Sequence, residues 1–513
     1  MKPFARFLMT VAALVTLAVA SRAAEERPNV IFILADDLGW RDTSVYGSEF
    51  YETPNIDRLA ARGMRFTQAY AANPLCSPTR ASILTGLWPA RIGITSPSCH
   101  LPQEIFESTL SDRAGPTVKV LVAQSATRLK HDYDTLAEAL GDAGYATGHF
   151  GKWHLGSEPY DALRQGFDVD VPHWHGPGPA GGYIAPWKFP ESLHFQGAPG
   201  ESVEDRMAAE AAKFIEANRE RPFYLNYWAF SVHSPWGAKP EVIAKYAAKA
   251  DPQARQKNAL YAAMIENLDD SVGTLLDTLD RLDLAKRTII VFFSDNGGIH
   301  FNDSFGNQVT DNHPLRGGKA NTYEGGTREP CVVVWPGVAE AGSTSHEVIQ
   351  SIDWRPTILA MTGVPPRPGQ NFDGISIEAA LRGGELSREA IYCHFPHTTP
   401  AAAGLPSTYV RKGDWKLIRF YGDAEDGGDR FELYNLADDV GETKNLADGM
   451  SDKVAELNAM IDAFLVETGA IVPRRNPSYD PSAVKNGARK KKVGDKSNRQ
   501  DRAKRKAAKR SGV

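Results

Sequence analysis

Two stretches constrain the fold of this chain more than anything else in it. Asn29-Val30-Ile31-Phe32-Ile33-Leu34-Ala35 is an apolar run that ends in Asp36-Asp37-Leu38-Gly39, and Thr288-Ile289-Ile290-Val291-Phe292-Phe293-Ser294 repeats the pattern and ends in Asp295-Asn296-Gly297-Gly298. Runs apolar at successive rather than alternate positions fit strands buried on both faces, as in a parallel sheet covered by helices. Each run would deliver acidic or amide oxygens at its carboxyl end, where open α/β sheets bind ligands.

Between and after these runs the texture alternates. Residues 55–64, 133–143, 260–279 and 352–362 have helical apolar spacing, while 145–150, 221–228 and 329–335 read as strands. The succession predicts an α/β fold, a large mixed, mostly parallel sheet sandwiched by helices. The connector at 363–370, with Pro365, Pro366 and Pro368, leads to short runs such as Trp415-Lys416-Leu417-Ile418-Arg419-Phe420 and a helix over 452–467. That change predicts a smaller C-terminal α+β subdomain with an antiparallel sheet. The expected organisation is a catalytic domain over 24–365, the subdomain over 366–472 and a basic, disordered tail over 473–513.

At the other end, Lys2 and Arg6 precede an apolar run from Phe7 to Ala20 and small-residue sites at Ala18-Val19-Ala20 and Ser21-Arg22-Ala23. Residues 1–23 therefore read as a cleaved signal peptide of an exported, periplasmic or secreted protein, too short an apolar run for stable membrane insertion. Four cysteines, Cys76, Cys99, Cys331 and Cys393, are too few for a disulfide scaffold, so a hydrophobic core must hold the fold.

Charge limits the substrate. The net charge is −5, but residues 485–513 carry 13 Lys/Arg against Asp495 and Asp501, which is +11 and leaves −16 for the rest. An acidic body does not attract polyanions as a whole, so an anionic substrate needs a local cluster of cations. The basic tail lacks the interleaved aromatics that stack on bases, and no nucleic-acid partner is expected.

Asp36, Asp37, Asp295 and Asn296 offer four hard oxygen donors suited to Ca²⁺ or Mg²⁺. The sharpest local signal is Cys76-Ser77-Pro78-Thr79-Arg80 followed by Ala81-Ser82-Ile83-Leu84-Thr85-Gly86. A cysteine opening a helix, with Arg80 one turn on, is expected to favour its thiolate.

With these residues the chain resembles the formylglycine-dependent type I sulfatases of the alkaline phosphatase superfamily. The Cys-x-Pro-x-Arg core and downstream Thr-Gly are similar to the family's modification signature. Its further landmarks follow in order: Gly151-Lys152-Trp153-His154-Leu155-Gly156, His233-Ser234-Pro235, Ser294-Asp295-Asn296-Gly297, and Gly318-Lys319 with Tyr323-Glu324-Gly325-Gly326-Thr327-Arg328-Glu329-Pro330. The wording around Asn73-Pro74-Leu75-Cys76 and Tyr323-Glu324-Gly325-Gly326 is closer to the exo-acting carbohydrate sulfatases, including N-acetylgalactosamine-6-sulfatases, than to choline sulfatases.

The resemblance implies an alkaline phosphatase-like fold and hydrolysis of sulfate esters, with a glycosaminoglycan, mucin glycan or algal polysaccharide as the expected substrate. It implies that a separate maturation enzyme oxidises Cys76 to formylglycine, whose hydrated aldehyde carries two hydroxyls on one carbon. One attacks sulfur; deprotonating the other expels sulfate and restores the aldehyde. Asp36, Asp37, Asp295, Asn296 and the modified Cys76 are then the ligands of a divalent cation, Ca²⁺ with Mg²⁺ as the alternative. Arg80 orients the aldehyde, and Lys152 and Lys319 hold sulfuryl charge. His154 is the base for collapse, and His233 with Lys319 the acid for the departing alcohol. Outside these motifs, His100 and His300 are expected to touch substrate, and His173-Trp174-His175 and Arg316 lie in loops that could line the pocket. Two rivals remain, a phosphonate or phosphate ester hydrolase on the same scaffold and a non-catalytic glycan-binding protein.

Overall fold

The computed structural model describes residues 27–302 and 306–483, so the signal peptide and most of the basic tail lie outside the described residues. The first strands are β1 (Asn29–Ala35), β2 (Met64–Tyr70), β3 (Thr109–Leu110), β4 (Val120–Leu121), β5 (Ala123–Gln124), β6 (Ala146–Gly151), β7 (Val169–Val171) and β8 (Phe223–Trp228). They are followed by β9 (Thr288–Ser294), β10 (Arg328–Val334), β11 (Thr344–Ser345) and β12 (Ile349–Gln350). The main sheet runs β11-β2-β10-β9-β1-β8-β6-β7, with β12 also on β2. Both apolar runs are central parallel neighbours, as their continuous hydrophobicity predicts. β10 lies antiparallel between β9 and β2, which makes the sheet mixed.

Alternation along β1 divides the core. Ile31, Ile33 and Ala35 pack on one side with the helices Pro54–Arg62, Val203–Ala217 and Ala259–Arg281. Val30, Phe32 and Leu34 pack on the other with Cys76–Thr85, Leu136–Asp142 and Trp354–Thr362. Burying both faces is what an all-apolar strand requires, since each fully buried large aliphatic side chain contributes about 1.5–3 kcal/mol.

The register sets the site. Ala35 pairs with Ser294, Leu34 with Trp228, and Trp228 with Gly151. Four adjacent parallel strands, β9, β1, β8 and β6, thus end almost level, and the polar residues after each emerge at one edge.

The C-terminal strands β13 (Ile391–Phe395), β14 (Ser407–Lys412), β15 (Trp415–Phe420) and β16 (Arg430–Asn435) form an antiparallel sheet in that order. The helix Ser451–Thr468 covers one face through Leu457, Ile461, Phe464 and Leu465. The other face packs Ile391, Tyr409 and Ile418 against Tyr70 of β2, docking the subdomain on the main sheet. Residues 366–390 join the large domain, where Ile377, Ala380 and Leu381 sit in the core with Ile358, so the antiparallel sheet begins only at Ile391.

The expectation of a disordered tail from 473 is corrected at its start. Arg474–Arg475 form β17, antiparallel to β4, and the buried Asn476 donates to the carbonyls of Gly115 and Val118. Backbone pairing and a satisfied amide hold a segment that composition alone marks as unstructured. Among the described residues no helix is long and apolar enough to cross a membrane.

Candidate active site

The level strand ends bring the sequence-picked residues together. Asp36 and Asp37 follow β1, Asp295 and Asn296 follow β9, Lys152 and His154 follow β6, and His233 stands a few residues past β8. Gly151 ends β6 with a positive φ of 111°, and a Cβ there would fall 2.0 Å from the Trp228 carbonyl, so only glycine lets the chain turn here. The turn sends Lys152 Nζ to within 2.6 Å of Asp36 Oδ2. Cys76 opens the helix Cys76–Thr85 beneath these oxygens, its Sγ 3.5 Å from Asp36 Oδ1.

Lys319 arrives from the loop between β9 and β10, 2.6 Å from Asp37 Oδ1 and 3.7 Å from Cys76 Sγ. His233 Nε2 stands 3.8 Å from Asp37 Oδ2, while its Nδ1 meets the Ser234 carbonyl at 2.5 Å. A carbonyl only accepts, so His233 carries its proton on Nδ1 and leaves Nε2 bare. Arg80 lies over the Trp228 ring and donates through Nε and Nη2 to Asp295 Oδ2, and through Nη1 to the Lys152 carbonyl. The guanidinium is thus locked on an acidic partner of the cluster.

One ligand atom from each of Asp36, Asp37, Cys76 and His233 lies within 4.8 Å of the others. Asp295 Oδ1 accepts from the Asp37 backbone N–H at 3.2 Å, and Asn296 Nδ2 donates to Asp37 Oδ1 at 2.8 Å. The carbonyl oxygen Asn296 Oδ1 is buried without a protein partner. An orphaned acceptor beside three buried carboxylates fits a hard divalent cation, because leaving it unpaired costs about 1–3 kcal/mol.

The electrostatics follow from burial and close charges. Burial pushes the Asp37 carboxyl up, but Lys319, His233 and Lys152 outweigh it and bring it down to about 2. Asp295 is pushed up to about 6 by burial and by Asp36, against Arg80. The expected thiolate at Cys76 is corrected. Burial, supported by Asp36 and Asp295 against Lys152 and Lys319, pushes the thiol up to about 12. The unmodified side chain is therefore a protonated thiol, because desolvation exceeds what a helix terminus returns. Burial and the neighbouring cations hold His154 well below the usual histidine range and bring His233 down to about 3.

Of the two residues expected to touch substrate, His100 lies against His154, its Nδ1 2.9 Å from His154 Nε2. His300 lies beside Gly318, where a Cβ would fall 2.7 Å from its Nδ1, and lines a cavity of about 740 Å³ with Arg255, Arg316 and Asp439 at the junction of the two domains. Arg316 stacks 3.8 Å over the Tyr323 ring and donates to Tyr434 Oη, tying the site loop to the subdomain. His173 pairs with the buried Asp170 at 2.7 Å in a separate cavity that Trp174 and His175 also line.

Sequence reasoning missed what holds the loop after Lys319. Glu324 and Glu442, both buried, share Lys416 of β15 at 2.8 and 2.9 Å, and Tyr70 Oη donates to Glu324 at 2.6 Å. A lysine in the interior of a predicted strand was the available signal, since such a side chain is almost never fully buried unless paired.

A family model described as Sulfatase matches residues 28–364, and one described as N-sulphoglucosamine sulphohydrolase, C-terminal, matches 318–468. The N-acetylgalactosamine-6-sulfatase of Sus scrofa is 35% identical over 402 residues, 74% of this chain and 70% of that protein. Arylsulfatase A of Homo sapiens is 31% identical over 484 residues, 86% of this chain and 88% of that protein. The crystal structure of Ps i-CgsB in complex with k-i-k-neocarrahexaose shares the fold with a TM-score of 0.70 at 25% identity, covering 89% of this chain and 96% of that one. A matched catalytic domain, relatives aligned over most of their length and a shared fold lead to one conclusion: the chain belongs to the sulfatase family and is a sulfuric ester hydrolase of alkaline phosphatase-like fold.

Proposed function

We propose that this enzyme removes sulfate from a sulfated carbohydrate, a glycosaminoglycan, mucin glycan or algal polysaccharide, using a formylglycine made from Cys76 by a maturation enzyme. The observation that carries the reading is the ring of opposite charges around one buried residue, with Lys152, Lys319 and Arg80 facing Asp36, Asp37 and Asp295 about Cys76. An acidic protein that takes an anionic substrate needs such a local group of cations. The names of the relatives, N-acetylgalactosamine-6-sulfatase among them, support the carbohydrate class.

Asp36, Asp37, Asp295, Asn296 and the modified Cys76 would hold Ca²⁺, with Mg²⁺ as the alternative, and the orphaned Asn296 oxygen supports this set. Such a cation supplies charge stabilisation where the sulfuryl oxygens become more negative. Residue 76, once modified, supplies geminal hydroxyls that a thiol lacks. Lys152 and Lys319 are buried or nearly so, and their ammonium groups therefore act on sulfuryl charge with little screening by water. His154 takes the proton from the second hydroxyl. His233 reaches the acid state only when an anionic group offsets Lys319 and Lys152, which a bound sulfate does, and its bare Nε2 is then the nitrogen that gains and gives the proton. The apolar stretch at 7–20 supports export.

The test has two arms. Mass spectrometry of the Cys76 peptide from the native host should give the aldehyde mass, and a panel of sulfated mono- and disaccharides should release sulfate. An unmodified thiol would remove the nucleophile; turnover of aryl phosphonate above aryl sulfate would favour the phosphonate hydrolase.

A further inference from the structure

The catalytic imidazole has a partner outside the five motifs. His100 stands on a loop after the helix Pro89–Ile92 and is only partly buried, whereas His154 is 1% exposed. Their rings are tilted 35° with centroids 5.1 Å apart, and His100 Nδ1 meets His154 Nε2 at 2.9 Å. The backbone of His154 is held as well: its φ is +55°, and Ser77 Oγ donates to its carbonyl at 2.7 Å. A non-glycine residue at positive φ persists only where its surroundings over-determine it. The other ring nitrogen, His154 Nδ1, is buried and has no protein partner.

Two neutral imidazoles at this distance share one proton between facing nitrogens, so either His154 donates to His100 or the reverse. The choice decides what His154 can do at its free nitrogen. If His154 keeps its proton on Nε2, Nδ1 is a bare acceptor; if His100 donates, Nδ1 carries the proton and the base role is closed. The base role proposed for His154 selects the first arrangement, because Nδ1 can take up a proton only while it is bare. A neutral His100 that carries its one proton on Nε2 presents Nδ1 as an acceptor. Lys152, Arg80 and His233 all oppose a second proton on His154, which keeps the pair neutral.

We propose that His100 is a positioning residue that accepts the Nε2 proton of His154 and so holds His154 Nδ1 bare as the proton acceptor of the reaction. This replaces the substrate contact expected from its sequence position, and it rests on the assignment of His154 as the base. During turnover His154 gains the proton of the second hydroxyl at Nδ1, becomes a cation that His100 stabilises through the same hydrogen bond, and then returns that proton to solvent.

The test uses the full-length modified enzyme with two substrates, an aryl sulfate without a sugar and a sulfated monosaccharide. His100→Ala should lower kcat for both by about 10- to 100-fold with KM changed less than about threefold, and His100→Asn, whose Oδ1 can take the place of Nδ1, should recover most of the loss. Independently of turnover, ¹⁵N spectra of histidine-labelled wild-type protein should show His154 Nδ1 as a bare nitrogen and Nε2 as protonated. A rise in KM for the sugar alone, with aryl sulfate turnover unchanged, would make His100 a substrate contact and overturn the proposal, as would a protonated Nδ1. Should His100→Ala fail to fold, His100→Asn and the wild-type spectrum still decide. A wild-type enzyme that releases no sulfate would count against the proposed function, while the spectrum would judge the pair on its own.

Discussion

Arg80 and Asp295 form a fully buried ion pair in the site, with Nη2 2.7 Å from Oδ2 and neither side chain exposed. The pair links the helix that carries Cys76 to the end of β9, so one contact aligns Cys76 with the carboxylates of the site. Removing one member leaves the other charged and unsolvated. Arg80→Met should cost about 3–5 kcal/mol, measured by urea unfolding, together with loss of sulfate release. A cost under about 1 kcal/mol would show that the carboxylate finds another partner.

The three carboxylates around Asn296 repel one another without a cation. Dialysis against a chelator should lower the melting temperature and abolish turnover, and Ca²⁺ should restore both. At a concentration one hundred times Kd the added stability is about 2.7 kcal/mol. Asn296→Ala should shift the Ca²⁺ titration to higher concentration, and an unchanged titration would remove Asn296 from the ligand set.

Glu204 supports the segment that carries His233. Its carboxyl accepts from the Ser231 backbone N–H at 2.7 Å and from Tyr227 Oη at 3.0 Å, and burial pushes it from 4.5 up to about 7. The folded chain then binds a proton that the unfolded chain has released. Stability from this group is complete below pH 4.5 and falls as the pH rises to about 7, by about 3 kcal/mol in all. Glu204→Gln keeps an acceptor for the Ser231 N–H, lets its Nε2 donate to Tyr227 Oη in place of accepting from it, and should flatten that part of the stability profile. Unfolding midpoints at intervals across the window check this, and an unchanged slope in the variant would show that Glu204 is not its source.

Lys416 holds Glu324 and Glu442 together, with all three side chains buried. Lys416→Met should cost about 3–5 kcal/mol. Lys416→Met with Glu442→Gln should recover part of it, because one stranded carboxylate is then removed. The same variants should lower kcat, since Glu324 anchors the loop that follows Lys319. Additive losses in the double variant would contradict the shared network.

Much of this was legible without coordinates. The runs 29–35 and 288–294 are apolar because both faces of their strands are covered, and a local property of that kind is written into local sequence. The acidic and amide residues after each run, the Cys-x-Pro-x-Arg segment and the paired Lys-x-His after 151 likewise announce their chemistry. The start of the tail was misread, since pairing of Arg474 with Leu121 joins segments more than 350 residues apart. The protonation of Cys76 was misread for a similar reason, because the degree of burial at a helix start is decided by what packs over it.

The sequence by itself determined which residues bear charge, which strands are buried and which side chains follow them, because these depend on neighbours along the chain. Tertiary structure alone decided who faces whom: the antiparallel direction of β10, Arg80 on Asp295, Lys416 between two glutamates, and His100 against His154. Those choices arise from strand register and loop closure over long separations, where a shift of one residue reverses the face a side chain presents.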